Sequence, residues 1–398
     1  MSKDKTTRRE FLRSVLATGG ALACSSLTAD PLLAATKAAV KEERGPVKAG
    51  LFSAATINGM QLSNRLVRSA TWTGLAASDG AVSEALTARL VELVRGGTGL
   101  IITGYSFVRR DGQSRPNQLA VYDDRFIPGL TSLVDAVHAA GGKIAQQLVH
   151  GGIYSDEKVT GMEPIGPSVF TKDGQALCRA MTHEEITAIT VAFTRAAARA
   201  KIAGFDAVEI HGSHGFLLSQ FLSPFFNKRE DEFGGVMENR ARFLLDTVKA
   251  VRNAVGPSYP VLVKLNSEDY VEGGFSREES VAVSVMLQKA GVDAIEFSGG
   301  TAASPKDHSP SRPGDLQGPD KEVYYRAAAK AYKQKVTIPL LLVGGIRSSD
   351  VANGLVQDGT ADFVSMARPL IREPDLANRW RSGDTHRAAC ISCNGCSR

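Results

Sequence analysis

The sequence predicts an α/β protein, a (β/α)8 barrel with an N-terminal capping hairpin, and three observations lead to it. Eight short apolar runs alternate with helix-like segments across residues 50–385. The helix starts carry capping residues and the helix ends carry glycines, as a strand-helix repeat requires. No linker, charge run or low-complexity stretch divides this region, and a chain of 398 residues that is 43% hydrophobic can bury one barrel-sized core.

Taken in order, residues 52–62 hold Asn58-Gly59 between β-prone residues and read as a hairpin under the barrel. Strands are expected at 66–69, 100–105, 143–148, 207–211, 261–266, 294–298, 340–343 and 363–366. Helical patterns fall between them at 83–95, 127–140, 182–203, 239–255, 276–290, 321–335 and 348–357. Thr182 with Glu185, and Ser276 with Glu279, have capping-box spacing. Gly141-Gly142, Gly204 and Gly291 stand where helices must turn into strands. An open doubly wound sheet would want a phosphate-binding glycine turn after its first strand, and Leu66-Val67-Arg68-Ser69-Ala70-Thr71 offers none. Eight repeats therefore point to closure as a TIM barrel.

Residues 1–35 stand apart. Thr7-Arg8-Arg9-Glu10-Phe11-Leu12-Arg13 is a twin-arginine pattern, followed by a weakly apolar region at 15–33 and small residues at Ala34-Ala35. This reads as a twin-arginine signal peptide joined to the barrel by a linker at 36–49. The Tat translocase exports folded proteins, which suits a chain that acquires a cofactor first, and the expected address is the periplasm or another extracytoplasmic space. Gly19-Gly20, Ser25-Ser26 and Asp30 interrupt the apolar region, so it makes no stable membrane anchor. A formal net charge of +5 gives no reason to invoke nucleic acid or an anionic membrane. Of five cysteines, Cys24 lies in the leader, Cys178 is alone, and Cys390, Cys393 and Cys396 cluster in a tail at 386–398. No spaced disulfide framework results, so the core must supply stability.

The fourth expected strand carries the chemistry. Val208 and Ile210 alternate with Glu209 and His211, so the two polar side chains share one face. Gly212 and Gly215 break the strand, and His214 sits between them. Two imidazoles at one strand end can hydrogen-bond a single oxygen or ligate a metal, and H-x-x-H alone does not decide. Downstream follow Ser223-Pro224, Asn227-Lys228-Arg229, Phe233-Gly234-Gly235 and Glu238-Asn239-Arg240. Gln146-Gln147-Leu148-Val149-His150-Gly151-Gly152 precedes them.

Together these stretches resemble the Old Yellow Enzyme family of FMN-dependent ene-reductases, also called NADH:flavin oxidoreductases. The resemblance implies that His211 and His214 hold the carbonyl oxygen of an unsaturated small-molecule substrate above the flavin. It also implies that Ser69, Ala70 and Thr71 meet the isoalloxazine ring, that Gly104 lets the ring approach, and that the Gln147 amide reads the pyrimidine edge. Lys264 stands where the family commonly has arginine near flavin N1 and O2. Its charge would offset that of the reduced ring, although an ion pair with Glu209 inside the barrel is the alternative. Gly344, Gly345 and Arg347 after the seventh strand, and Ala367 and Arg368 after the eighth, fall where barrels bind phosphate. One departure matters: the family's proton-donating tyrosine is replaced by Phe216.

Arg68-Ser69-Ala70-Thr71, with Trp72 following, resembles the branch containing the FMN domains of trimethylamine dehydrogenase and dienoyl-CoA reductase. Cys390-Ile391-Ser392-Cys393-Asn394-Gly395-Cys396 agrees, matching the first three ligands of that branch's [4Fe-4S] motif, whose fourth cysteine would fall beyond Arg398. The tail is therefore read either as a cluster site or as a vestigial or disulfide-forming segment. The expected function is hydride transfer from reduced FMN to an activated C=C bond or similar small electrophile. An exported flavin carrier fed by an electron-donor protein is the second reading. A zinc hydrolase on His211 and His214 is a remote third, since it lacks a third ligand and leaves Gln147, Lys264 and the phosphate loops unexplained.

Overall fold

The computed structural model describes residues 49–313 and 318–397. The expected signal peptide, with Cys24, and linker residues 36–48 lie outside them. Eight parallel strands form the barrel: Leu66–Arg68, Leu100–Ile102, Ile144–Val149, Ala207–Gly212, Val261–Asn266, Ala294–Ser298, Leu340–Leu342 and Phe363–Met366. Each pairs with the next in chain order, and the eighth pairs with the first, so the sheet closes. Closure leaves the barrel without an open edge.

Helices Glu84–Arg95, Ile127–Ala139, His183–Ile202, Met237–Val255, Arg277–Lys289, Arg326–Lys333 and Ser349–Gln357 fill the crossovers, and Arg368–Arg372 and Leu376–Arg381 follow the last strand. Both expected capping boxes form, each with side chain and backbone bonded reciprocally. In the first helix, Leu86, Leu90 and Leu93 are buried at helical spacing, the pattern of a face packed on the sheet. The sixth helix is shorter than its sequence pattern because Val323 takes a positive φ of 61° and the Tyr324 N–H bonds Gly344 O. That bond ties the segment to the loop after the seventh strand.

Two short antiparallel strands, Ala55–Ile57 and Met60–Leu62, turn through Asn58 at φ 40° and Gly59 at φ 81°. Both positive angles are what a two-residue hairpin turn demands. Ile57, Met60 and Leu62 pack with Val67, Leu100, Ala145, Ala207, Leu262, Ala294, Leu341 and Phe363 in one buried cluster. These residues form an apolar floor inside the barrel, with the hairpin as its plug. The sequence reading missed a three-stranded excursion after the third barrel strand, made of Ile165–Gly166, Phe170–Lys172 and Gln175–Ala180. Its signal is Asp173-Gly174, a hairpin turn between β-prone residues.

Candidate active site

Above the apolar floor the inward side chains become polar. Strand register sets Glu209 beside Gln147, His211 beside Lys264, and Lys264 beside Glu296. Lys264 ion-pairs with Glu296 and donates to Ser69 Oγ at 2.8 Å, while Ser365 donates to the same Glu296 carboxylate. The lysine's carboxylate partner is thus Glu296 rather than Glu209. Sequence reasoning missed Glu296, although a glutamate between Ile295 and Phe297 in an expected strand is a readable signal. Gln147 Nε2 donates to Glu209 Oε2 at 2.6 Å, and the amide oxygen of Gln147 and the other carboxyl oxygen of Glu209 are buried without a partner. Burial, with the Glu296 charge adding to it, pushes Glu209 up to about 8, so it carries a proton at neutral pH.

His211 and His214 crown this layer. Their ring centroids lie 5.2 Å apart at an interplanar angle of 82°. His211 Nδ1 accepts from the Ser213 N–H at 3.3 Å, which leaves its proton on Nε2. His214 is held in the left-handed region at φ 63°, with its N–H bonded to Asn266 Oδ1 at 3.0 Å and its Nε2 2.6 Å from Ser298 Oγ. Burial first, then neighbouring charge including Lys264, lowers both imidazoles well below their usual range. Both are therefore neutral at pH 7, and each carries one N–H, that of His211 on Nε2. His150, from the same sequence motif as Gln147, instead bonds Asp111 at 3.2 Å.

Three adjoining spaces share lining residues here. One, of ≈ 960 Å³, is lined by Ser69, Ala70, Thr71, Lys264, Ala367 and Arg368 among others, and His214 and Tyr105 border it. Ser298, Val343, Ala367 and Arg368 also line a smaller recess of ≈ 470 Å³, which adds Gly344, Gly345 and Arg347. A wider channel of ≈ 1410 Å³, lined by Tyr105, Arg115, Tyr154, His214 and Phe216, opens on the other side. Gln147 and His211 are buried in the barrel beneath this space, and Gly104 backs onto Thr71.

The recess and cavity fit a flat ring that carries a phosphate. Gly344 and Gly345 have φ of 123° and 74°, and a Cβ there would meet the rings of Tyr325 at 2.9 Å and Tyr324 at 2.5 Å. Only glycine gives this turn, and such turns leave backbone N–H groups free to cradle an anion. Likewise a Cβ on Gly104 would strike Thr71 O at 2.9 Å, so glycine keeps the loop after the first strand in place. Arg368 lends charge to both spaces. Arg347 lines the recess, but its guanidinium is engaged by the C-terminal tail: it donates to Cys390 O at 2.7 Å, to Gly345 O at 3.2 Å and to Ser392 Oγ. Arg368 Nη1 in turn bonds Asn394 Oδ1 at 2.7 Å.

Cys393 and Cys396 are exposed, and Cys390 is half-buried. Among the described residues, the one trio of metal-type ligand atoms within 4.8 Å of one another is His183, Asp231 and Glu232. It includes neither the tail cysteines nor the paired imidazoles.

A closed barrel with neutral donors, a buried lysine and a phosphate-type recess at its C-terminal mouth defines a flavin oxidoreductase. Residues 50–386 match the NADH:flavin oxidoreductase / NADH oxidase family, so the chain belongs to that family, and its cofactor is FMN. A metal reductase from Desulforamulus reducens is 38% identical over 355 residues, covering 87% of this chain and 51% of that protein. A 2-naphthoyl-CoA reductase structure in complex with 2-naphthoyl-CoA has a TM-score of 0.80 and 29% identity, covering 87% of this chain and 54% of that one. An Old Yellow Enzyme homologue from Zymomonas mobilis has a TM-score of 0.72 and 26% identity, covering 86% and 96%. The chain thus spans about half the length of the first two and nearly all of the third.

Proposed function

We propose that this protein reduces the activated C=C bond of a small conjugated carbonyl compound, an enone or enal. Bound reduced FMN supplies the hydride; the protein binds, orients and polarises the acceptor. The observation that carries this reading is the pair of neutral imidazoles 5.2 Å apart, His214 lining both cavity and channel and His211 buried directly beside it. The N–H of His211 and the N–H of His214 meet the carbonyl oxygen, where they stabilise the enolate-like charge that grows as the far carbon is reduced. For His214 this requires the Ser298 hydroxyl to donate to Nε2, which places the imidazole proton on Nδ1. Protonated imidazoles would suit a substrate that is already anionic; neutral ones suit an oxygen whose charge appears only in the transition state. Similarity to a structure holding a conjugated thioester, 2-naphthoyl-CoA, supports the same class of acceptor.

Ser69, Ala70, Thr71 and Lys264 are assigned to the FMN ring, and Gly344, Gly345, Ala367 and Arg368 to its phosphate. Lys264 would favour the negatively charged reduced ring, although its ion pair with Glu296 offsets part of that charge. The twin-arginine leader adds a second element: folded export, with electrons delivered by a protein donor rather than by soluble nicotinamide. The three tail cysteines, as a cluster or as a dithiol, are one route for them. Replacing Arg8 and Arg9 by lysine and fractionating the host tests the export step, and a protein found in the cytoplasm before any replacement would end it.

The catalytic reading is tested by stopped-flow reoxidation of the reduced FMN protein with a cyclic enone. His211→Ala and His214→Ala should each slow it by roughly 10²-fold to 10³-fold, the usual loss for one oxyanion-type donor. Flavin content should be nearly unchanged. Equal rates in wild type and both variants would show that the imidazoles do not hold the reacting oxygen.

A further inference from the structure

Reduction of a C=C bond needs a proton as well as a hydride, and Phe216 has none to give. Two phenols border the channel beside it. Tyr105 lies at 5.3 Å from Phe216 and 6.4 Å from His211, ring centroid to centroid, and Tyr154 lies 6.4 Å from Phe216. Only Tyr105 lines both the channel and the cavity containing Ser69, Ala70 and Lys264, so it stands at the junction where ring and acceptor would meet. Resting on the proposed double-bond reduction, we propose that Tyr105 is the catalytic acid that protonates the α-carbon of the acceptor.

The surroundings of the two phenols separate them. Burial raises the pKa of the Tyr105 phenol, and the neighbouring Ser114 hydroxyl and Arg115 guanidinium draw it part of the way back. Arg115 is itself held over the Trp72 ring at 5.7 Å, at the same edge of the cavity. A guanidinium at this place stabilises the phenolate left after proton transfer. Tyr154 has the opposite setting: burial raises its pKa, and the negative charge of Asp269 raises it further. It is the worse acid and touches only the channel.

The step balances as follows. The hydride adds to the β-carbon with its electron pair, and the π electrons move to the oxygen held by His211 and His214. The Tyr105 O–H bond then breaks as the α-carbon C–H bond forms, and the phenolate regains a proton from water in the open channel. Electrons come only from the reduced cofactor, itself recharged by its donor.

The test compares two acceptors in single turnover of the FMN-loaded protein. A quinone takes its protons on oxygen and needs no carbon acid, whereas a cyclic enone does. Tyr105→Phe should slow reoxidation by the enone by about 10²-fold or more, the usual worth of a positioned general acid. It should leave the quinone rate within about threefold, and Tyr154→Phe should leave both rates alone. In deuterated water the wild-type product should carry deuterium on one face of the α-carbon, and Tyr105→Phe should scramble it. Adding Phe216→Tyr to Tyr105→Phe should restore both enone rate and facial selectivity. Unchanged enone kinetics and selectivity in Tyr105→Phe would overturn the proposal, as would equal loss with both acceptors. A wild-type protein that reduces quinone but no enone would instead overturn the double-bond reading, and this assignment with it.

Discussion

At the residue scale the informative group is Glu209, a carboxyl at the centre of the barrel beside Glu296, Lys264 and Gln147. Burial and the Glu296 charge raise it to about 8, whereas an unfolded glutamate titrates near about 4.3. Between these values the folded chain keeps a proton that the unfolded chain has released. Stability of the flavin-free protein should therefore fall as pH rises from 5 to 8 and level off above, with a slope of up to about 1.4 kcal/mol per pH unit from this group. Glu209→Gln keeps an acceptor for the Gln147 amide and adds a donor for its unpartnered oxygen, while removing the titration. Urea unfolding at pH 5.5 and 8 should show wild type losing stability relative to the variant at the higher pH. Parallel curves would show that Glu209 is ionised throughout. Strand alternation in the sequence already aims Glu209 and His211 inward together, because period-two geometry needs no tertiary information. It could not choose between Glu209 and Glu296 as the lysine's partner, since that depends on the stagger between neighbouring strands.

At the element scale the seventh and eighth strand ends divide their arginines between two tasks. Arg347 lines the recess but commits its guanidinium to the tail through Cys390 O and Ser392, whereas Arg368 lines both recess and ring cavity and gives the tail one bond, to Asn394 Oδ1. Arg368→Ala should weaken FMN binding by roughly 10-fold or more, in line with loss of a hydrogen bond to a charged group at about 1.5–3 kcal/mol. Arg347→Ala should change FMN affinity by less than about threefold and should make the segment around Cys390 and Ser392 exchange amide hydrogens faster. Flavin fluorescence titration and hydrogen exchange read the two effects separately, and a reversed pattern would reassign the arginines. The sequence placed both arginines correctly at strand ends, because helix caps, apolar runs and glycine stops are local signals. It could not show that the tail engages Arg347 more fully than Arg368, since contacts from residues 347 and 368 to residues 390–394 leave no local pattern. The three-stranded excursion was missed for a different reason: its Asp173-Gly174 signal is local but lies in a stretch outside the strand-helix repeat.

At the scale of the whole molecule the barrel interior is layered, with an apolar floor plugged by the hairpin, a polar middle, and an open mouth. The floor depends on apolar residues at alternate strand positions, the simplest pattern for a sequence to carry, and it supplies the packing. The middle layer holds Gln147 and Glu209 with one buried oxygen each left without a partner, a destabilising arrangement for an interior. Stability was thus given up where the ring and acceptor are to bind, and ligand binding should return part of it. FMN bound only by the folded barrel at a concentration 100 times its dissociation constant adds about 2.7 kcal/mol. For a domain of this size that corresponds to a rise in Tm of roughly 3–5 °C. Riboflavin, which has the same ring and no phosphate, should give a smaller rise at equal concentration, because the Gly344-Gly345 turn and Arg368 then have no anion to hold. Scanning calorimetry of flavin-free protein with FMN, riboflavin and inorganic phosphate decides it. Equal shifts for FMN and riboflavin would remove the phosphate role from the seventh and eighth strand ends, while leaving the ring site between Ser69 and Lys264 standing.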